Sequence, residues 1–482
     1  MIKRQSVKKN LFFQLLYQFI ILVIPLVIAP YLTRTLGDTQ IGIYTYTYTI
    51  AYYFVIIGML GVNKYGQRLI ASSTDDDSLR RNFWSLFAVH EIFSIVSTCI
   101  FFVVVLLFGF ENSNIYLIQG IFVASAIFDI TWLFYGLENF QKIVVRNAIL
   151  KIAECVLIFV FVKSSNDLGL YALIKSVSIF IGQVMMLPFA VKNIKPIKFT
   201  KNDMVHHLKP LLIFSIFVIA AMMYTIFDKT LVGIFCGKEE VAYYEYSNKI
   251  VEIPKTFAMI LGGIIFPKAC LAVKEERLIE LKKFYKLTLI FTFYICFGAI
   301  FAFFALSDDL SLLYYGDSFI KCGDYIKYLS PIILLISFCN IIESIYLIPK
   351  NKEVLLTISI VVGALFNVIL SLVLVQICGV YGAIIGSISG ELIKLVIQFI
   401  ICRKEIDFKI TMFTILPFVI SGFVMYFSLL LVKNNFKVTI ISFIIECLIG
   451  FIIYSSIIGF YYFIINRDSE IKNWLFKKIR RH

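Results

Sequence analysis

Residues 354–402 read VLLTISIVVGALFNVILSLVLVQICGVYGAIIGSISGELIKLVIQFIIC. Two apolar runs, 354–376 and 380–402, flank a short break at Gly379, and the only charged side chains in the stretch are Glu391 and Lys394. A helix rising about 1.5 Å per residue needs about twenty residues to cross the hydrocarbon of a bilayer, and each run meets that length. The pair therefore reads as two helices crossing lipid.

The same pattern extends in both directions. Apolar blocks are expected to span the membrane at 11–32, 41–61, 83–109, 115–136, 143–162, 169–191 and 210–235, then at 241–266, 284–306, 325–349, 354–376, 380–402, 410–432 and 438–465. The 482-residue chain is 60% hydrophobic and 16% charged, against roughly 25% charged in soluble domains, which excludes a water-soluble fold. The expectation is an all-α polytopic membrane protein of about fourteen transmembrane helices. The first span is too long for the apolar core of a signal peptide and lacks a small-residue cleavage site before Arg34, so it stays in the membrane.

The formal charge of +14 does not point to nucleic acid. Most of the 45 Lys and Arg fall on one set of alternate connections and tails, which places both termini in the cytoplasm under the positive-inside rule. Lys472, Lys477, Lys478, Arg480 and Arg481 then form a juxtamembrane basic segment facing anionic lipid. The ten cysteines are scattered without a Cys-x-x-Cys pair, and of the four histidines His206 and His207 are adjacent while His482 is terminal. No metal site is expected from such spacing, and no cofactor.

Residues 192–209, with five Lys, separate an expected six-helix lobe at 1–191 from a second at 210–402, and 403–482 supply a C-terminal helix pair and basic tail. An internal match at an offset of 200 supports two related halves. TLGDTQIGIYTYTYTI from Thr35 pairs with FCGKEEVAYYEYSNKI from Phe235, aligning Gly37 with Gly237, Tyr44 with Tyr244 and Tyr46 with Tyr246. Parallel repeats of this kind are one way transporters build alternating access. No external connection is longer than 307–324, which weighs against a membrane polymerase or glycosyltransferase needing folded external surface. The phosphate-binding loop G-x-x-x-x-G-K-[ST] is missing from the sequence, so energy would come from an ion gradient or from substrate mass action.

Ionisable side chains within spans carry the functional signal, because each costs roughly 2.5–3.5 kcal/mol on insertion scales and therefore faces protein or a wet cavity. Span seven carries Asp228 and Lys229; span eight carries Glu245, Lys249, Glu252 and Lys255 near one face; span twelve carries Glu391 and Lys394. Buried cations suit a diphosphate headgroup, since ammonium groups replace the hydrogen bonds a phosphate loses with its water. Lys229, Lys249, Lys255 and Lys394 are candidate headgroup contacts, with Arg34 at the cavity mouth. Asp228, Glu245, Glu252 and Glu343 are candidates for proton or sodium coupling. Lys175, Lys286 and Lys327 read as packing ion pairs or snorkelling cations. Tyr44 and Tyr48, at four-residue spacing with Tyr52, read either as an aromatic belt or as a sugar-contacting face.

Four segments together resemble the oligosaccharide flippases, the Wzx-like branch of the multidrug/oligosaccharidyl-lipid/polysaccharide exporter superfamily. They are PYLTRTLGDTQIGIYTYTYTIAYYF from Pro30, DITWLFYGLENFQK from Asp129, FDKTLVGIFCGKEEVAYYEYSNKIVEIP from Phe227, and the run from Tyr346 that continues through GVYGAIIGSISGELIK. The resemblance implies two lobes forming a V around a central cavity in the bacterial cytoplasmic membrane. It implies a lipid-linked oligosaccharide on undecaprenyl diphosphate as substrate, its head in the cavity and its tail in lipid along spans thirteen and fourteen, with a polysaccharide polymerase as a possible partner. An ion-coupled multidrug exporter of the same superfamily is the alternative; it would favour an acidic and aromatic cavity and about twelve spans, whereas intramembrane lysines favour an anionic lipid.

Overall fold

The computed structural model describes residue 20 and residues 23–222, 226–406, 408–433 and 437–462. The basic segment from Lys472 to Arg481, His482, both termini and most of the first half of the 11–32 span lie outside the described residues. Among the described residues the regular structure is helical, with no strand. Among the described residues ten helices are long and apolar enough to cross a membrane, and an eleventh crossing is added if Asp317–Leu329 and Pro331–Leu347, bent by 42°, count as one span. The chain is a multi-pass membrane protein, and its outward residues, such as Ile216, Phe413 and Leu431, are apolar and exposed, as lipid contact requires.

The chain divides into two compact units, residues 1–242 and 243–482. In the first, α1 (Val23–Thr35) and α2 (Gly37–Met59) are followed by α3 (Val62–Ala71), α4 (Asp76–Phe108) and α5 (Ser113–Ser125). Then come α6 (Thr131–Gly136), α7 (Phe140–Phe161), α8 (Leu168–Val184), α9 (Leu187–Asn193), α10 (Lys201–Met222) and α11 (Asp228–Phe235). The start of α12 (Lys238–Lys274) closes the unit. α10, which begins inside the polar segment 192–209, packs on α3 and α4.

Local chemistry explains these breaks. Asp75 caps α4 by accepting from the Ser78 backbone N–H at 2.6 Å, while the Ser78 hydroxyl accepts from the Asp75 N–H, a reciprocal capping box. The DITW segment interrupts the Ser113–Gly136 span: the Asp129 carboxylate accepts from the Thr131 N–H at 2.9 Å and from its hydroxyl at 2.5 Å, and the Trp132 indole N–H donates to the Asp129 carbonyl. Trp132 is fully buried among Phe83, Leu86 and Leu133, and anchors the α3–α4–α6 core.

His207 on α10 is clamped in the same region, Nδ1 2.8 Å from the Tyr65 hydroxyl and Nε2 2.8 Å from the Ser85 hydroxyl. Burial, helped by the neighbouring His206 and opposed by Asp203, pushes the His207 imidazole down to about 4.

The repeat-related turns meet inside the first unit. Gly37, which opens α2, and Gly237, just before α12, both adopt positive φ, +77° and +102°, a backbone state glycine enters without Cβ strain. The Thr39 hydroxyl donates to the Glu239 carboxylate at 2.8 Å, two residues at the same offset of 200.

The second unit contains the rest of α12, then α13 (Leu278–Tyr315), α14 (Cys322–Leu329), α15 (Pro331–Ile342), α16 (Glu353–Cys378), α17 (Val380–Ile401), α18 (Phe408–Lys433) and α19 (Ile440–Phe460). α13, α15 and α18 share a core of Phe293, Tyr285, Ile342 and Phe418. α16 and α17 form the most extensive helix–helix contact among the described residues. A Cβ on Gly382 would lie 2.2 Å from the Leu374 backbone carbon, and one on Gly386 would lie 2.0 Å from the Ser371 hydroxyl. In lipid no hydrophobic force pushes helices together, so small residues that admit close backbone contact do that work. At the end of this hairpin, Glu405 accepts from Lys352 at 2.9 Å and pairs with Lys350 at 3.1 Å. Burial by itself would raise the Glu405 carboxyl, but the two ammonium groups hold it below the usual carboxylate range.

Candidate functional site

The first unit contains a cavity of about 690 Å³ lined from α3, α6, α7 and α8. Its lining includes Lys64, Gln67, Tyr135, Arg146, Lys151 and Glu154. α7 supplies the charged wall, because residues 146, 147, 150, 151 and 154 recur on one helical face.

Arg146 is buried and held in place by neutral groups: Nη1 donates to the Gly182 carbonyl at 2.8 Å and to Gln183 at 3.2 Å, and Nε and Nη2 donate to Asn147 Oδ1 at 2.9 and 2.7 Å. Lys151 and Glu154, one turn apart, pair at 2.9 Å, and Lys175 reaches from α8 to the other Glu154 oxygen at 2.7 Å. The carboxylate is almost fully enclosed. Arg146, Lys151 and Lys175 thus outnumber the one acid among them.

The sequence-predicted tyrosines border this cluster. Tyr44 is buried and shares a hydrogen bond with Gln119, whose carbonyl accepts from the Ser176 hydroxyl at 3.3 Å. Tyr48 and Tyr171 lie within electrostatic range of Lys175. Tyr44, Tyr48 and Tyr52 form a stacked row with centroids 5.9 Å apart, and Phe122 lies 4.8 Å from Tyr48.

The remaining predicted residues are distributed over both units. Arg34 is exposed at the end of α1, donating to the Pro30 carbonyl at 3.1 Å. Asp228 is fully buried at the start of α11, and Lys229 beside it is half-buried. In the second unit Lys249 pairs with Glu245 at 3.7 Å and lies 4.0 Å over the Tyr246 ring, and Lys255 pairs with Glu252. The structure brings Lys394 and Glu343 together at 3.9 Å, with Glu391 at 2.8 Å from the same ammonium. Gln398 donates to Glu343 at 2.9 Å and to the Ser359 hydroxyl at 3.3 Å, making a largely buried network across α16, α17 and the turn that follows α15. Glu343 opens a π-helical turn, Glu343–Leu347, a geometry frequent at functional positions.

The description "polysaccharide biosynthesis protein" belongs to the family that matches residues 7–270, more than half of the chain. The chain belongs to the polysaccharide biosynthesis protein family. The matched segment contains every lining residue of the first-unit cavity.

Two relatives of this family protein carry the name "Putative O-antigen transporter". The one from Shigella dysenteriae is 24% identical over 390 residues, covering 80% of this chain and 97% of the relative. The one from Escherichia coli strain K12 is 26% identical over 190 residues, covering 39% of this chain and 46% of the relative. Among solved structures, the lipid II flippase MurJ in an inward closed conformation superposes with a TM-score of 0.78 at 14% identity, over 94% of this chain and 99% of MurJ. An inward-facing multidrug resistance MATE family transporter of the MOP superfamily gives 0.57 at 13% identity, over 80% and 94%. At those identities the fold is what is shared.

Sequence reasoning missed Arg146, Lys151 and Glu154 as a group. Three ionisable residues in one expected span, at spacings of five and three, were a signal of the same kind as the span-eight stripe. Lys175, read as a packing cation, completes the set from a neighbouring helix, and that partnership has no signature in sequence spacing.

Proposed function

We propose that this chain is a flippase that moves an undecaprenyl-diphosphate-linked oligosaccharide from the inner to the outer leaflet of the bacterial cytoplasmic membrane, for capsule, O-antigen or exopolysaccharide synthesis. The observation that carries the reading is a cavity lined by Lys64, Arg146 and Lys151 against the single acid Glu154, which Lys175 also engages, in a protein of the polysaccharide biosynthesis family. Such a cavity offers a diphosphate the charge-assisted hydrogen bonds that replace its water. It repels cationic drugs, which disfavours the exporter alternative. Transport proceeds by exposing the cavity alternately to the two faces of the membrane.

Within this proposal Lys229, Lys249, Lys255 and Lys394 supply further headgroup contacts, and Tyr44 and Tyr48 border the sugar. The polyprenyl tail lies in lipid along α18 and α19, where Gly298, Ala302, Met425, Leu429, Gly450 and Phe451 line an apolar groove of about 240 Å³ with α13. Asp228, Glu245, Glu252 and Glu343 are the candidates for coupling to H+ or Na+, and the polymerase that consumes the repeat unit is the candidate partner.

Removing the chain from its cell is expected to abolish surface polysaccharide and to accumulate lipid-linked oligosaccharide on the inner leaflet, both reversed by the wild-type chain. Undiminished surface polymer in its absence contradicts the proposal.

A further inference from the structure

The two lysines of the first-unit cluster already hold an anion. Lys151 donates to both Glu154 oxygens, Oε2 at 2.9 Å and Oε1 at 3.2 Å, Lys175 donates to Oε1 at 2.7 Å, and the carboxylate borders the cavity while remaining almost fully enclosed. Removing one partner from a buried pair leaves a charge without compensation, so the lysines release Glu154 only for a ligand that offers more negative charge than the single carboxylate they give up.

A membrane presents such a cavity with a competition problem. An ordinary anionic phospholipid carries a phosphodiester with one negative charge. A lipid diphosphate bearing a sugar is esterified at both ends and carries two, on adjacent phosphorus atoms. A cation-rich cavity without its own acid would bind either, and phospholipid is far more abundant.

We propose that Glu154 is a resident counterion that sets the anion selectivity of this cavity: a dianionic diphosphate diester displaces it from Lys151 and Lys175, and a monoanionic phosphodiester does not. This deepens the flippase reading and rests on it for the substrate class. Specificity here comes from a built-in competitor raising the threshold for the wrong ligand, as well as from attraction of the right one. Arg146, fixed by Gly182, Gln183 and Asn147, stays in place during the exchange and orients the incoming group.

The test is titration of the purified full-length protein with two soluble probes, dimethyl phosphate and a dimethyl diphosphate methylated once on each phosphorus. Wild type is expected to prefer the diphosphate by roughly tenfold or more, and Glu154→Gln to bind both more tightly with the preference reduced to roughly threefold or less. A Glu154→Gln protein that melts like wild type and keeps the wild-type preference, or binds both probes more weakly, overturns the proposal. Should Glu154→Gln not fold, Lys175→Gln decides: losing one exchangeable ammonium is expected to weaken diphosphate binding roughly tenfold, and unchanged binding overturns the proposal.

The two readings fail separately. An unchanged probe preference in Glu154→Gln, with surface polysaccharide still dependent on the chain, removes the counterion and leaves the flippase. Surface polysaccharide independent of the chain removes the flippase, whatever the probes show.

Discussion

In the first unit Lys151 and Lys175 hold a single acid, Glu154, beside a cavity of about 690 Å³ that Arg146 also lines. In the second, Lys394 stands between two acids, Glu391 and Glu343, with Gln398 and Ser359 packed against them. Both clusters join neighbouring helices, and both keep charge inside the membrane at a cost. The balance is reversed: the first has cations to spare and the second has an acid to spare. An excess of cations beside open volume suits an anionic ligand, and an excess of acid inside tight packing suits the exchange of a small cation. Buried ion pairs of either kind are poor devices for stability alone, since apolar side chains of the same volume would do as well. Their asymmetry is therefore read as a division of labour.

The sharpest way to break that contrast is to strip the first cluster of its lysines. Lys151→Ala with Lys175→Ala is expected to lower surface polysaccharide by roughly tenfold or more, but it also leaves Glu154 without a partner, a change worth roughly 3–5 kcal/mol in buried pairs. Adding Glu154→Gln restores neutrality, so the triple variant is expected to regain stability and insertion without regaining export. Recovery of export by the triple variant would reduce the lysines to partners of Glu154 and nothing more.

A smaller effect is expected from Lys249→Ala with Lys255→Ala. Each lysine sits in a partly exposed pair within α12, a class of interaction contributing about 0–1 kcal/mol, so the protein should stay inserted. Surface polysaccharide is expected to fall several-fold; normal export would remove both residues from the headgroup role.

How much of this was legible in the sequence depends on the residue. Ten of the fourteen expected spans were, among the described residues, because uninterrupted apolar length is a local property: α16 and α17 follow the runs at 354–376 and 380–402 to within two residues at each end. The contact between the two repeat hairpins was half legible. The offset of 200 and the aligned glycines could be read, but not the hydrogen bond from Thr39 to Glu239 that joins them. In the site, the within-helix pairs Glu245–Lys249, Glu252–Lys255 and Glu391–Lys394 follow from three- and four-residue spacing. Lys175 with Glu154, and Lys394 with Glu343, join residues 21 and 51 positions apart, and helix packing rather than spacing decides them. For the same reason the stretch around Arg146 looked like one more span with scattered charges until α8 was placed beside it.

The second cluster can be sharpened by Glu343→Gln, which keeps the hydrogen-bonding shape but removes the spare negative charge. Export is expected to drop about two- to threefold and to lose its dependence on an imposed proton or sodium gradient, measured in inverted vesicles. A variant that responds to the gradients as wild type does places coupling elsewhere.

The smallest effect tests the first unit away from its cavity. His207 is held neutral by burial, with the folded value near 4 against 6.5 for a free imidazole. The unfolded chain therefore takes up the proton first. Its contribution to stability is fully present above about pH 6.5, declines as pH falls, and levels off near 4. Melting in detergent should drop between neutral pH and about pH 5 by the equivalent of at most about 2 kcal/mol, and His207→Gln should flatten that slope. A slope unchanged in the variant assigns the acid sensitivity to other groups.

The most direct measurement of the central claim is transport in proteoliposomes loaded with an undecaprenyl-diphosphate-linked oligosaccharide on one leaflet, followed by the rate at which sugar becomes accessible to an external lectin. The account predicts rapid exposure with the wild-type chain and a rate indistinguishable from empty liposomes with Lys151→Ala, Lys175→Ala and Glu154→Gln combined in a folded protein. Equal rates from the two proteins would contradict it.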